Sequence, residues 1–424
     1  MLKKIPFFKD VPGLSYRMLL LFFVLKILAG ISMIWVYTHY YDLEIADFHK
    51  YFRDGLFMKS VLHDNPSDFF RLITGIDAPH LSEYYKQMPS WNRSWDSPVF
   101  NDNRIMIRFN ALIALISGGY LYVHSIIINF LSLSGLVALY KFFERNSKSA
   151  AIFWLPWGVF LFPSLLFWGS GVLKESLLLA ALGFWVYFTD DFVSQKKYSF
   201  LKLLAWAFLT LLLLTLKVYT FLLLLPCLIA FYWSRKNKLW IIQLKYLSVF
   251  AVFVLFALLL GKLFPAYDVI TLIVNKQNDF VNFVQYEDAG SILHTRELKP
   301  EIFSIMREFL AGIYYGFFRP HLFEAYSPVV ALAAIENLFI GLMIVYILIS
   351  FQKGTLTHNK LIWLALWFSI LLMGFVGMIT PVHGAIVRYK IPALPFLWIF
   401  FVHMARLPET EKIRKSRLWR FFNK

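Results

Sequence analysis

Apolar runs long enough to cross a bilayer recur along this chain from Met18 to Met404, separated by short polar breaks. In hydrocarbon every backbone N–H and C=O must find its partner inside the protein, so only helices and closed barrels survive there. The runs reach about twenty residues without two-residue alternation, which selects helices. The expected fold class is all-α, a polytopic helical membrane protein. Charged residues make up only 16% of the chain, against about 25% in a soluble domain. Helix packing in lipid, rather than burial away from water, then holds such a chain together.

The first run, Met18 to Tyr37, predicts a retained signal anchor, because Lys3, Lys4 and Lys9 precede an apolar stretch too long for a cleaved leader. A polar segment, 38–108, follows, with turn signals at Asn65-Pro66, Ala78-Pro79, Met88-Pro89 and Ser97-Pro98. Between them, Phe52 to Leu62 and Phe69 to Ile76 read as short amphipathic helices on the membrane surface. Asn110 to Tyr140 reads as an interfacial stretch leading into a span. Ile152 to Phe188, broken at Pro163-Ser164 and Gly169-Ser170-Gly171, reads as two short spans meeting at a tight turn. Leu201 to Trp233 reads the same way, with its turn at Lys217-Val218-Tyr219-Thr220. Further spans are expected near Trp240 to Leu260, Val329 to Ser350, Leu361 to Ile379 and Ile391 to Met404, about ten in all. The transmembrane domain is then 1–405, with a later extracytoplasmic segment at 264–328 and a basic tail at 406–424.

Orientation follows from the basic residues. The N-terminal lysines, the 141–148 turn, Lys196-Lys197, Arg235-Lys236 with Lys238, Lys353 with Lys360, and the tail all fall on one side. The positive-inside bias makes that side cytoplasmic, with both termini there and 38–108 outside. It also accounts for the net charge of +16, so membrane lipids, not nucleic acid, are the expected partners. In the tail, Trp419, Phe421 and Phe422 alternate with arginines, which suits docking on anionic lipid. The lone Cys227 excludes an intramolecular disulfide.

Threaded this way, the charges that interrupt apolar sequence gather on the outer face. They are Glu44 and Asp47, Lys174-Glu175, Lys217, Arg319 with His321, and His383 with Arg388-Tyr389. Ionisable groups at membrane depth cost several kcal/mol and are paired or functional. Together they point to an outward cleft of mixed charge. Each has a plainer alternative. Asp47 is also a suitable N-cap for the surface helix. Lys174 and Glu175 also read as a helix-end ion pair, Lys217 as snorkelling to the interface, and Arg319 and Arg388-Tyr389 as interfacial anchors. Lys26, inside the first run, has no role assigned. His49, His321 and His383 lack close ligand spacing, so a metal is unsupported, although a divalent ion stays open; no cofactor is assigned. No P-loop or dinucleotide glycine motif occurs.

Asp47-Phe48-His49-Lys50-Tyr51 follows the first span, and Arg388-Tyr389-Lys390-Ile391-Pro392 opens the last. This arrangement resembles the GT-C superfamily of integral-membrane glycosyltransferases, many bacterial members of which carry Asp-x-x-x-Tyr in the first outer loop and Arg-Tyr followed by Pro near a late span. Pro163-Ser164 through Lys174-Glu175 is similar to the break where those enzymes place a charge near the donor. The chain departs from the pattern in lacking a paired Asp-Glu, unless Glu44 takes the second role, and in having no large C-terminal soluble domain. The resemblance implies transfer of a sugar from a polyprenyl-phosphate donor to a glycan, lipid or protein acceptor. It makes Asp47 the base of an inverting reaction. Arg388, Lys174, Lys217 and Arg319 would receive the phosphate, and Tyr389, Tyr51, His49, Glu175 and Glu44 would lie around the donor and its sugar. The implied setting is a bacterial inner (cytoplasmic) membrane and envelope polysaccharide biosynthesis. The competing expectations are a lipid-linked glycan flippase or transporter, a scaffold subunit of a polysaccharide machine, and a polysaccharide polymerase.

Overall fold

A computed structural model of the chain describes residues 5–9, 11–41, 43–92, 102–147, 153–236, 241–286, 293, 296–350 and 359–405. The basic tail at 406–424, with Lys3, Lys4, Ser97-Pro98, Lys148, Lys238 and Lys353, lies outside the described residues. Among the described residues all regular structure is helical, and eight helices are long and apolar enough to cross a membrane.

The first is α1, Tyr16–His39, whose N-cap Ser15 accepts from the Met18 amide. The polar segment then folds as α2, Asp47–Asp64, α3, Pro66–Thr74, and the short α4, Ser82–Lys86. The surface helices expected from the sequence are α2 and α3. Helix α2 begins earlier than expected and therefore includes Asp47. It also has a protein partner. Its buried face, Phe48, Tyr51, Met58 and Val61, is covered where it packs on α5, Asn103–Ser117. A Cβ on Gly55 would stand 2.6 Å from the Asn110 Cβ, so glycine sets the closeness of that contact. His124, near the start of α6, Leu121–Asn146, bonds both Asn110 and Ser117 and so joins the outer layer to the bundle.

The stretch expected to hold two short spans instead holds two one-turn helices and one long one. These are α7, Leu155–Phe160, α8, Pro163–Trp168, and α9, Lys174–Val193. The break before α9 frees backbone carbonyls inside the bundle, where they need donors. Lys26 supplies one, its Nζ lying 2.6 Å from the Gly169 carbonyl, and Ser132 Oγ supplies another at 2.9 Å. That is the role of the mid-span lysine. Helix α9 lies against α6 at glycine contact distance: a Cβ on Gly183 would meet the Gly135 carbonyl at 1.9 Å.

Element α10, Phe200–Lys236, is two helices joined at a kink. Lys217 leaves helical geometry at φ −151°, ψ 78°. Lys202 near one end bonds Asp191, and Arg235 near the other sits 3.7 Å from Asp190. A straight helix would separate those two residues by about 50 Å, so the chain doubles back at Lys217. The hairpin expected at Lys217-Val218-Tyr219-Thr220 is present, with its apex at the lysine.

The remaining elements are α11, Ile242–Leu263; α12, Val269–Tyr286; α13, Ile302–Phe318; α14, Pro328–Ile349; α15, Lys360–Ile379; α16, His383–Tyr389; and α17, Leu394–Met404. Gly312 and Gly316 of α13 meet the backbone of α15. Gln277 of α12 is tied to the Met378 carbonyl and the Leu298 amide, which holds α12 over the outer end of α15.

Candidate functional site

Charged side chains from separate parts of the chain meet at one place: the start of α2, the turn before α5, the start of α9, the bend of α10 and the end of α16. Asp47 is the first residue of α2. Ala46 holds the N-cap position without a side-chain bond, so the carboxylate is directed elsewhere. Arg388 Nη1 donates to its Oδ2 at 2.6 Å. The same guanidinium reaches Glu175, with Nε 2.9 Å from Oε2. Glu175 is fully buried in the first turn of α9, where helix dipoles favour a negative charge. Lys217, at the bend of α10, stands 3.7 Å from the same carboxylate.

Lys174 completes the group. Its Nζ lies 2.7 Å from Asp102 Oδ1 and donates to Asn103 Oδ1 at 2.7 Å. Aromatic rings line the cations. Lys217 Nζ is 3.5 Å from the centre of the Tyr389 ring, Lys174 Nζ is 5.2 Å from that of Tyr51, and Arg388 stands 5.8 Å from Trp168. Phe280 of α12 packs on Tyr389 with ring centres 5.7 Å apart. Thus Lys174, Lys217 and Arg388 are matched by Asp47, Glu175 and Asp102. Such matching is what lets charges persist away from water.

Asp47 differs from the others in exposure, its side chain being 42% accessible. Partial desolvation raises its pKa, but Arg388 and Lys174 outweigh that and hold the carboxyl below its ordinary value. It is the open edge of an otherwise buried network.

The structure brings together Asp47, Tyr51, Lys174, Glu175, Lys217, Arg388 and Tyr389. It places the other candidates apart. Glu44 bonds Arg53 at 2.8 Å and lies 3.7 Å from His49, forming a separate exposed cluster along α2. Arg319 pairs with Glu324 at 3.3 Å. His321 shares a hydrogen bond with Tyr314. Asp102, Asn103 and Trp168 join the site although the sequence did not single them out. Asp102 and Asn103 stand at the end of a long polar segment, where Asp and Asn are ordinary turn and cap residues. No local signal separates them from their neighbours.

An apolar groove of about 200 Å³ lies beside the network, lined by Pro163, Phe167, Trp168, Val329, Leu332 and Val387 among others. Val387 precedes Arg388, and Trp168 lies under its guanidinium. The groove therefore borders the cation that binds Asp47. Among the described residues, no group of three or more His, Cys, Asp or Glu side chains is placed to hold a metal ion. No protein-family model matches the chain, and neither a curated protein nor a solved structure does.

Proposed function

We propose that the protein is a membrane glycosyltransferase of the GT-C type, moving a sugar from a polyprenyl-phosphate donor to an acceptor hydroxyl at the face carrying Asp47. The observation that carries this reading is Arg388 bridging a partly exposed carboxylate, Asp47, and a buried one, Glu175, at the edge of an apolar groove. A lipid phosphate needs such a pairing of cation and hydrocarbon surface. The resemblance of the Asp47 and Arg388 segments to GT-C motifs supports the same reading.

Arg388 is held by two carboxylates, those of Asp47 and Glu175. An arriving phosphate competes for it, and arginine suits a phosphate because its planar fork matches two oxygens at once. Transfer of Arg388 from Asp47 to the phosphate leaves Asp47 with less positive charge nearby and a stronger affinity for a proton. Asp47 then accepts the acceptor hydroxyl proton as that oxygen attacks the anomeric carbon. The new carbon–oxygen bond forms, the bond from the anomeric carbon to the phosphate oxygen breaks, and polyprenyl phosphate leaves with the electron pair. One attack from the side opposite the leaving group inverts the anomeric centre. Arg388, Lys217 and Lys174 stabilise the charge growing on the leaving oxygen. The setting consistent with this chemistry is a bacterial inner membrane with both termini cytoplasmic.

A second reading, a lipid-linked glycan transporter or scaffold, draws on the near-complete pairing of the cations, which a structural network also shows. Transfer by the purified protein from a panel of polyprenyl-phosphate sugars, with Arg388→Ala alongside, separates the two. Turnover that Arg388→Ala abolishes supports the transferase. Donor binding without turnover in the parent sinks it.

A further inference from the structure

A second groove lies far from this network. It holds about 630 Å³ between the end of α9 and the start of α10, lined by Phe192, Val193, Tyr198, Phe200, Leu203 and Trp206 with Thr189 and Ser199. Along α9 it begins about 21 Å from Glu175, at the opposite end of the bundle, so what it binds is not the reactant of the Asp47 site. The groove is built rather than incidental. Trp206 Nε1 donates to Thr189 Oγ1 at 2.9 Å, and the Tyr198 hydroxyl donates to the Phe192 carbonyl at 3.1 Å. The Phe192 and Tyr198 rings stack with centres 6.0 Å apart. The aromatic walls are thereby held in place, and their polar atoms are satisfied by each other, which leaves an apolar lining.

Tyr198, Phe200 and Leu203 are nonetheless exposed. In a chain whose spans face hydrocarbon, such a surface is covered by an acyl chain rather than by water. The charges at the rim say which lipid. Lys202 is engaged by Asp191 at 2.6 Å. Lys196 and Lys197 are exposed and have no ion-pair partner among the described residues. They sit in the turn that leads directly into the groove wall. The Lys197 amide is fixed to the Asp191 carbonyl at 2.9 Å, and Lys196 adopts φ 51°, a left-handed position that glycine occupies at less cost. The turn presents two adjacent, uncompensated ammonium groups at the mouth of an apolar groove.

We propose that this groove is a binding site for an anionic glycerophospholipid, with one acyl chain against Phe192, Phe200 and Trp206 and the phosphate on Lys196 and Lys197. The complementarity is specific: apolar walls take the chain, and unpaired lysines take the headgroup. A basic side chain near an anionic headgroup favours it on the order of fivefold. Two lysines therefore predict a preference for anionic over zwitterionic lipid of about tenfold or more.

The test is lipid retention by the full-length protein. It is extracted from vesicles of equal phosphatidylglycerol and phosphatidylcholine, and co-purifying lipid is counted by native mass spectrometry. The parent is expected to retain phosphatidylglycerol preferentially. K196Q/K197Q, altered only at exposed side chains, is expected to retain both lipids equally. Leu203→Gln, which makes the wall polar, is expected to retain less of both while keeping the preference. Equal retention of the two lipids by the parent, or an unchanged preference in K196Q/K197Q, overturns the proposal. Neither outcome depends on whether the outer site transfers a sugar.

Discussion

Asp47 and Arg388 form the contact on which the proposed chemistry turns. The pairing lowers the affinity of Asp47 for protons, and the sign of its contribution to stability follows. A carboxyl with a depressed pKa stabilises the fold at pH values above its ordinary pKa of about 3.9, and that contribution disappears as pH falls through the depressed value. Thermal unfolding of the parent and Asp47→Asn should therefore differ most at neutral pH. The gap should narrow as pH falls below about 4 and close below the depressed value, where the parent carboxyl is neutral like the amide. The proposed catalysis gives the opposite displacement. In that reaction the donor phosphate takes Arg388, and Asp47 then binds protons more tightly. The acid limb of kcat, which reports the complex, should then lie at higher pH than that of kcat/KM, which reports the free enzyme. Coincident limbs would show that Arg388 does not change partners. At this scale much was readable from the sequence, because a charge within an apolar run must find a partner. That argument identifies Lys174, Glu175, Lys217 and Arg388 but not their pairing. Asp102, from an ordinary turn, joins the site only through how distant segments pack.

Two helix ends and one bend assemble the site. The first turn of α9 presents Lys174 and Glu175, and the bend of α10 presents Lys217. Both elements are anchored at their far ends, where Asp190 and Asp191 hold Arg145, Lys202 and Arg235. Glu175 is the common anion of Lys217 and Arg388. Glu175→Gln leaves two buried cations with one fewer compensating charge, and removal of one member of a buried pair costs about 3–5 kcal/mol. A lower unfolding temperature, measured in detergent or nanodiscs, is the expected result. Restoration by the double substitution Glu175→Gln/Lys217→Met would show that the loss is electrostatic. The bend was legible because a lysine and a polar turn interrupt an apolar run that is too long for one span. The long α9 was not. Gly169-Ser170-Gly171 marks a break, but only packing on α6 through Gly135 and Gly183 shows that a full-length helix follows it.

The whole molecule separates its charges by face. The Asp47 network lies at one end of α9, and the Asp190-Asp191 cluster with Lys196 and Lys197 lies at the other. In the orientation proposed from the positive-inside bias, the Lys197 end is cytoplasmic. Cysteine placed at Asp77 should react with a membrane-impermeant maleimide from outside intact cells, and cysteine at Lys197 only after the membrane is opened. The native Cys227 is buried and should stay silent. The reverse pattern would invert the topology and put the site in the cytoplasm. Fold class and the outer cluster follow from hydropathy and charge order alone. The eight helices long and apolar enough to span include the α10 hairpin as one, so how the broken segments are joined decides the number of crossings. The central claim is that Asp47 serves as the base in transfer from a lipid phosphate. Its most direct test is glycoside formation, matched to release of polyprenyl phosphate, by purified parent and Asp47→Asn from the same donor. Equal release and glycoside are expected in the parent, and a loss of about 10²–10⁴-fold in the folded variant. Full turnover by Asp47→Asn would contradict it.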